Sequence, residues 1–265
     1  MSLLRKMVTF GVIGPGNLGE ALLRKISINS VTYFYHYRPD RCQDLEKKGL
    51  GQSRSLVGVL DADIVFITTK PTLAKEICSM IKPLLTGRSP LFISVMAGVS
   101  TSFLCNHLGT SRVARMMFDI SVGELHLARQ IFAYAVDNLR KEITRTCSII
   151  GRIIWLDEES KIDMATAVFG CGPAFIARFF QAYLETTKKF GFDSEEVKDL
   201  VLDLFDATIY MLGNGQSASL IIEKVACKGG ATERGLQYLN GLDNSLAQCI
   251  GVAEKRCCEI REEFS

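Results

Sequence analysis

Several protein classes are excluded by what this sequence lacks. It has no run of like charges: 31 Lys and Arg stand against 29 Asp and Glu, a formal charge of +2, which carries no electrostatic footprint for nucleic acid. No apolar run approaches the length of a membrane span, and even "LFISVMAGV" is soon broken by Ser and Asn. Cys occurs at positions 42, 78, 105, 147, 171, 227, 249, 257 and 258, an odd number without a C-x-x-C pair, so a reduced, cytosol-like compartment is expected. Only "MSLLRK" precedes the first strand, too short for a secretory or transit peptide, and a cytoplasmic protein without membrane or nucleic-acid partners is the expectation. His36, His107 and His126 have no ligand-type spacing, and no metal site is expected. Internal repeats, low-complexity tracts and Pro- or Ser-rich linkers are also lacking.

What is present is enough apolar material, 48% of 265 residues, for a large core and two domains. "MVTFGVIG", "VTYFYHY", "ADIVFITT" and "SPLFISVMAG" have strand length and β-branched or aromatic content, with helix-like sequence between them. Strands alternating with helices predict a mostly parallel, doubly wound sheet, an α/β Rossmann-like domain. A further strand is expected near "RVARMMFD", and a sheet-edge region to about Leu156. From Ser160 onward only helical periodicity is found. In "GPAFIARFFQAYLETTKKFG" the residues Ile176, Phe179, Phe180, Tyr183 and Leu184 share one face, with Pro173 suited to the first position and Gly191 to a stop. Asp193 and Glu196 resemble a capping box for a helix closing at Gly213. The expected division is a dinucleotide-binding domain over 1–157 and an all-helical domain over 158–265.

"VTFGVIGPGNLGEALL" sets Gly14, Gly16 and Gly19 in G-x-G-x-x-G register between an apolar strand and a helical pattern. There, Gly14 makes a tight turn, Gly16 lets backbone approach a pyrophosphate and Gly19 allows close helix packing. Pro15, Asn17 and Leu18 complete the turn at a helix N-terminus, which favours an anion; the alternative is a plain strand-to-helix turn. At the end of the second strand, where an NAD-binding chain carries an acid, the sequence reads His36, Tyr37, Arg38. An arginine pairs bidentately with a 2′-phosphate, so NADPH is expected over NADH; otherwise Arg38 is a solvated surface residue.

Further stretches narrow the reading. "TTKP", "SVMAGVS", "ARMMFD", "GCGPAF" and "KGGAT" occur in the order and approximate spacing of pyrroline-5-carboxylate reductases, and the chain resembles that family over essentially its whole length. The resemblance implies an NAD(P)H-dependent reductase that converts the cyclic imine 1-pyrroline-5-carboxylate to proline. It also implies an all-α C-terminal dimerisation domain whose helices interleave into a homodimer, with higher assemblies of dimers common. Thr69, Lys70, Pro71, Ala97, Gly98 and Asp119 join the cofactor residues on this basis. The substrate loop is Cys227, Lys228, Gly229, Gly230, Ala231 and Thr232, with the Thr232 hydroxyl directed at the ring nitrogen as the catalytic group. Gly229 and Gly230 are expected to offer free N–H donors to the substrate carboxylate, whereas a purely structural reading makes Thr232 an N-cap.

The chain departs from the family pattern at three motifs. "MPNTP" is Met117, Phe118, Asp119, Ile120 and Ser121 here, exchanging an amide for a carboxylate. "SGSGP" becomes Phe169, Gly170, Cys171, Gly172 and Pro173, where polar packing should weaken. "SPGG" becomes Cys227, Lys228, Gly229 and Gly230, with a weakly donating thiol in place of the serine hydroxyl. Lys228 either attracts the carboxylate in compensation or is an ordinary exposed lysine. Two other functions stay open: reduction of a different cyclic imine or imino acid, and a catalytically weak paralogue that binds dinucleotide as a sensor or partner.

Overall fold

In the computed structural model, residues 7–124, 130–192 and 194–264 are described. The chain forms two compact units, Met1–Cys171 with Val252–Ser265, and Gly172–Gly251.

The first unit is built on β1 (Thr9–Ile13), α1 (Asn17–Ile26), β2 (Val31–Tyr35), α2 (Pro39–Lys47), β3 (Gln52–Ser53), α3 (Leu56–Val59) and β4 (Ile64–Ile67). It continues with α4 (Ala74–Ile81), β5 (Leu91–Ser94), α5 (Thr101–Leu108), β6 (Val113–Met117), β7 (Gln130–Tyr134), α6 (Asp137–Cys147), β8 (Arg152–Trp155) and α7 (Ser160–Ala165). The strands form one sheet in the order β3-β2-β1-β4-β5-β6-β7-β8. All neighbours are parallel except β6 and β7. The expected doubly wound sheet is therefore present, with its edge completed by β7 and β8.

β4 and β5 are buried at every residue, as strands covered on both faces must be. One apolar cluster joins Phe10, Leu22, Phe34 and Phe66 to Leu139 and Ile143 of α6. On the other face Val65, Ile67 and Phe92 meet Ile77 of α4 and Leu104 of α5. α1 shows how this burial is encoded: Leu22, Leu23 and Ile26 face inward while Arg24 stays at the surface.

The second unit contains α8 (Gly172–Lys189), α9 (Val197–Gly213), α10 (Ala218–Val225), α11 (Ala231–Leu236) and the start of α12 (Leu242–Glu263). Phe205 of α9 meets Phe179, Phe180 and Tyr183 of α8 with ring centroids 6.0, 5.3 and 5.8 Å apart. Ile176, Leu200, Ile209 and Tyr210 nonetheless remain exposed. α9 begins at Val197, with Glu196 at its N-cap making no side-chain cap bond; the other half of the expected capping box, Asp193, lies outside the described residues. The end of α12 belongs to the first unit, where Ile260 and Phe264 join the second apolar cluster and Phe264 meets Phe103 edge-on at 5.1 Å.

Candidate active site

Strand order reverses between β1 and β4, and the crevice at such a switch point is where doubly wound sheets bind ligands. A cleft of about 300 Å³ opens there, lined by Gly14, Tyr35, His36, Tyr37, Thr69 and Leu73 among others. Gly14 has φ 73°, and a side chain on it would run into the Thr69 methyl. Its carbonyl and that of Ile13 both accept from Thr68 Oγ1 at 3.0 Å, which fixes the turn. A Cβ on Gly19 would lie 2.6 Å from Thr68 Oγ1, so this glycine sets helix–sheet packing. A Cβ on Gly16 would meet nothing within 4 Å; the space it leaves free faces outward. Gly16 is the N-cap of α1 and contributes no side-chain cap, so the first-turn N–H groups of Asn17 and Leu18 are open to an anion. These features fit a dinucleotide pyrophosphate.

The structure brings Gly14, Tyr37 and Thr69 to one cleft, with Pro15, Gly16, Asn17 and Leu18 continuing from Gly14 into α1. Lys70 and Pro71 follow Thr69 into a short 3-10 turn. Thr69 Oγ1 lies 3.4 Å from Met96 Sδ, linking this edge to the turn carrying Ala97 and Gly98. Sequence reasoning missed the outer wall, Leu73, Glu76, Ile77 and Met80; their i, i+3, i+4, i+7 spacing was the available signal.

Charge is organised at the β2 end of the cleft. No acid stands at His36–Arg38, but an acid lies two residues past Arg38: Asp40 accepts from Arg38 Nε at 3.2 Å and Nη2 at 2.5 Å. His36 stacks on Tyr37 with centroids 4.8 Å apart and accepts from the Arg38 backbone N–H at 3.1 Å. Burial, aided by the neighbouring Arg41 and Arg38 charges, lowers the His36 pKa from its ordinary value. Behind this pair, Glu20 binds Arg41 at 2.5 Å, Arg24 at 2.7 Å and Lys48 at 3.1 Å. Burial alone would raise the Glu20 pKa, but these three bonds outweigh it and hold the pKa at about 2.

A buried ionic cluster braces the following elements of the first unit. Arg115 of β6, 1% exposed, binds Asp163 at 2.9 Å and Glu159 at 3.3 Å. Asp163 also binds Arg261 of α12 at 2.7 Å, and Glu159 accepts from the Thr101 N–H and hydroxyl at 2.7 and 2.8 Å. The terminal helix also touches the Ala97–Gly98 turn, since a Cβ on Gly98 would lie 2.6 Å from Ile260 Cγ2. Past β6, Asp119 is not a free carboxylate: it caps the turn Ile120–Gly123 by accepting from the Ser121 N–H at 2.6 Å and from the Ser121 hydroxyl. The altered "FGCGP" motif begins at the end of a π-helical turn, Thr166–Gly170, with Cys171 as its C-cap and Gly172 and Pro173 opening α8, and its Phe169 stacks on Phe132 at 4.8 Å. An aromatic contact stands where polar packing was lost.

The "ACKGGAT" loop lies in the second unit. The N-cap of α11 is Gly230, not Thr232, which is half-buried in the first turn; the reading of Thr232 as a cap is corrected. Gly229 has φ 76°, a left-handed conformation that glycine adopts freely. The expectation of free donors on the two glycines is also corrected. Gly229 N–H donates to Glu233 at 2.7 Å, and Gly230 N–H to the Cys227 carbonyl at 2.9 Å. Glu233 thus holds a carboxylate against the loop, and the remaining donors are the first-turn N–H groups of Ala231 and Thr232. Cys227 and Lys228 are exposed. Among the described residues no group of His, Cys, Asp and Glu could hold a metal. His107 stacks on Phe103 at 3.9 Å, and His126 lies outside the described residues.

Residues 159–260 match the profile of the pyrroline-5-carboxylate reductase dimerisation domain, and residues 9–98 that of the coenzyme F420-dependent NADP oxidoreductases. The chain is 30% identical over 262 residues to pyrroline-5-carboxylate reductase of Staphylococcus aureus (strain COL), covering 93% of this chain and 96% of that one. It is 28% identical over 273 residues to pyrroline-5-carboxylate reductase 2 of Bacillus subtilis, covering 98% and 97%. The chain belongs to the pyrroline-5-carboxylate reductase family. The family fold is seen in the Plasmodium falciparum pyrroline carboxylate reductase with NADP bound (TM-score 0.81, 22% identity, 96% and 98% covered). It is seen also in the Coxiella burnetii pyrroline-5-carboxylate reductase (TM-score 0.80, 24% identity, 96% and 99% covered).

The family match bears on one expectation about membranes. Ser160–Lys189 forms a helical stretch long and apolar enough to cross a bilayer by length and composition, although its apolar residues are interrupted by charged ones. It falls wholly inside the dimerisation match, and its buried Asp163 is committed to two arginines.

Proposed function

We propose that this protein reduces the cyclic imine 1-pyrroline-5-carboxylate to L-proline with NADPH, with NADH as a weaker alternative. The observation that carries the reading is near-full-length membership of the family, together with a pyrophosphate cradle at the switch point of the sheet. The bound nicotinamide supplies the hydride; the protein supplies binding, orientation and exclusion of water. Gly14, Pro15, Gly16, Asn17 and Leu18 hold the phosphates, and Tyr37 and Arg38 the adenosine end. Thr69, Lys70, Pro71, Ala97, Gly98 and Asp119 line the path toward the nicotinamide, with Asp119 acting as a turn-former rather than a free charge.

In the second unit, Ala231 and Thr232 present N–H groups to the substrate carboxylate, and the Thr232 hydroxyl donates to the ring nitrogen as hydride reaches the adjacent carbon. Lys228 attracts the carboxylate from the same loop, where Cys227 donates weakly. Residues 1–157 then serve the cofactor, and 158–265 the substrate and the dimer. A second copy covering Ile176, Leu200, Ile209 and Tyr210 accounts for apolar side chains left exposed on one chain; a homodimer, with higher assemblies of dimers, in the cytoplasm is the corresponding state. A different cyclic imine is the second reading, favoured by one observation: the Glu233 carboxylate already occupies the Gly229 donor.

The test is loss of NADPH absorbance on addition of pyrroline-5-carboxylate, beside an NADH control and Thr232→Ala. Turnover that falls at least roughly tenfold in the variant is expected, for a hydrogen bond tightened in the transition state. Full activity of Thr232→Ala refutes its role. Dinucleotide binding without turnover moves the reading to another imine, and to a non-catalytic paralogue if a panel of imines also fails.

A further inference from the structure

Just past Tyr37, which lines the β2 end of the cleft, stand two opposite charges where a dinucleotide site ordinarily shows one. Arg38 and Asp40 are bound to each other through two hydrogen bonds, and both side chains are more than half exposed, at 58% and 66%. Each is suited to a different ligand. A guanidinium pairs with a phosphate, while a carboxylate accepts from a ribose 2′-hydroxyl and repels a 2′-phosphate.

The other cations nearby are not available in the same way. Arg41 is tied to Glu20, to Asp44 at 2.7 Å and to the Pro15 carbonyl at 3.4 Å. Lys48 is shared between Glu20 and Asp44. Arg38 has Asp40 as its ion-pair partner, and an exposed pair of this kind exchanges for solvent or another anion at little cost. The neighbouring backbone is held in place, because the Arg38 N–H donates to the His36 ring and that ring stacks on Tyr37. A swap of partners therefore needs only side-chain motion.

We infer that Asp40 sets the cofactor preference of the site by competing with the 2′-phosphate for Arg38. This rests on the dinucleotide reading above and adds to it a residue that narrows the gap between the two cofactors. With a ribose 2′-hydroxyl the Arg38–Asp40 pair stays closed, and the carboxylate keeps lone pairs for that hydroxyl. With a 2′-phosphate the guanidinium turns to the ligand, and Asp40 is left as a like charge beside it. The pair thus taxes NADPH and spares NADH.

The test uses equilibrium binding of NADPH and NADH to the full chain, followed by nicotinamide fluorescence without any imine, so turnover is not needed. Asp40→Asn removes the competing charge at an exposed position and keeps the side-chain shape. NADPH should bind about 3- to 10-fold more tightly, the range of a surface ion pair plus one repulsion removed, while NADH stays within about twofold of wild type or weakens. Arg38→Gln should bring NADPH down to the level of NADH. Raising the salt from 0.05 to about 0.5 M should shrink the Asp40→Asn gain, since exposed charges are screened. If Asp40→Asn shifts both cofactors equally, or neither, the inference is wrong while the dinucleotide reading stands. If wild type binds neither cofactor, that reading falls and takes the inference with it.

Discussion

The buried cluster around Asp163 allows a stability prediction with a worked magnitude. Asp163 is 1% exposed and neutralises two guanidinium groups, Arg115 at 2.9 Å and Arg261 at 2.7 Å. Asp163→Ala leaves Arg115, also 1% exposed, with only Glu159 at 3.3 Å. Arg115 Nε already lacks a partner, so no spare acceptor lies within its reach to absorb the loss. Removing one member of a buried pair costs about 3–5 kcal/mol, because a charge is left uncompensated out of water. Arg261, 33% exposed, turns to solvent and adds little. The sum is a large part of the roughly 5–15 kcal/mol that holds a domain folded. Trp155 is the sole tryptophan and lies on β8, its Nε1 bonded to Thr144 at 3.1 Å, so its fluorescence in urea reports on the first unit. Asp163→Ala should lose about 3–5 kcal/mol, and Arg261→Met about 1 kcal/mol or less, as for a partly exposed pair. The apolar triple change Arg115→Met, Asp163→Leu, Arg261→Met should recover most of the loss, since charge and desolvation penalty then leave together. A loss under about 1 kcal/mol for Asp163→Ala would refute the argument that Arg115 depends on it.

Three further outcomes follow from the cleft and the loop. Gly16→Ala should fold with an unchanged urea midpoint, because the added Cβ meets nothing within 4 Å, yet lose NADPH binding; Gly14→Ala should lose stability as well, its φ of 73° being strained for alanine. Glu20 has a folded pKa lowered from 4.5 to about 2, so its contribution is complete above 4.5 and fades as pH falls toward 2. The stability gap between wild type and Glu20→Gln, measured in urea, should therefore close in that acid window and not on the alkaline side. Glu233→Ala frees the Gly229 N–H from its 2.7 Å bond and should lower the Michaelis constant for an imine carboxylate several-fold, as for one charge-competed donor, while Lys228→Ala should raise it; opposite shifts would place the carboxylate elsewhere.

What could be read in advance separates by the range over which each feature is determined. β4 and β5 were legible because a strand covered on both faces is apolar at successive positions, as "IVFI" is throughout and "LFIS" is up to the buried Ser94. The Gly14 turn was legible for the same local reason: its positive φ and the contact with Thr69 select glycine whatever the rest of the chain does. The two-residue β3 was not, since its pairing depends on β2 beside it rather than on its own residues. Arg261 and Asp163 meet across 98 positions, and each looks like an ordinary polar residue of a helix until the helices are packed. The acid at Asp40 was overlooked for a subtler reason. The expectation fixed a position in the sequence, the end of β2, while the ligand requires a position in space, and Pro39 starts α2 so that Asp40 turns back to Arg38. The loop at Gly229 erred in the same direction: two glycines were read as open donors, but Glu233, one helical turn on, supplied the acceptor for Gly229, and the Cys227 carbonyl the one for Gly230. In both places a motif identified a donor suited to an anion, the Arg38 guanidinium in one and the Gly229 N–H in the other, and the chain's own carboxylate was already there. At each place the proposed ligand anion would have to compete with a carboxylate of the protein, which makes single acid-to-neutral substitutions at Asp40 and at Glu233 the changes whose effects on binding carry the sign of the mechanism.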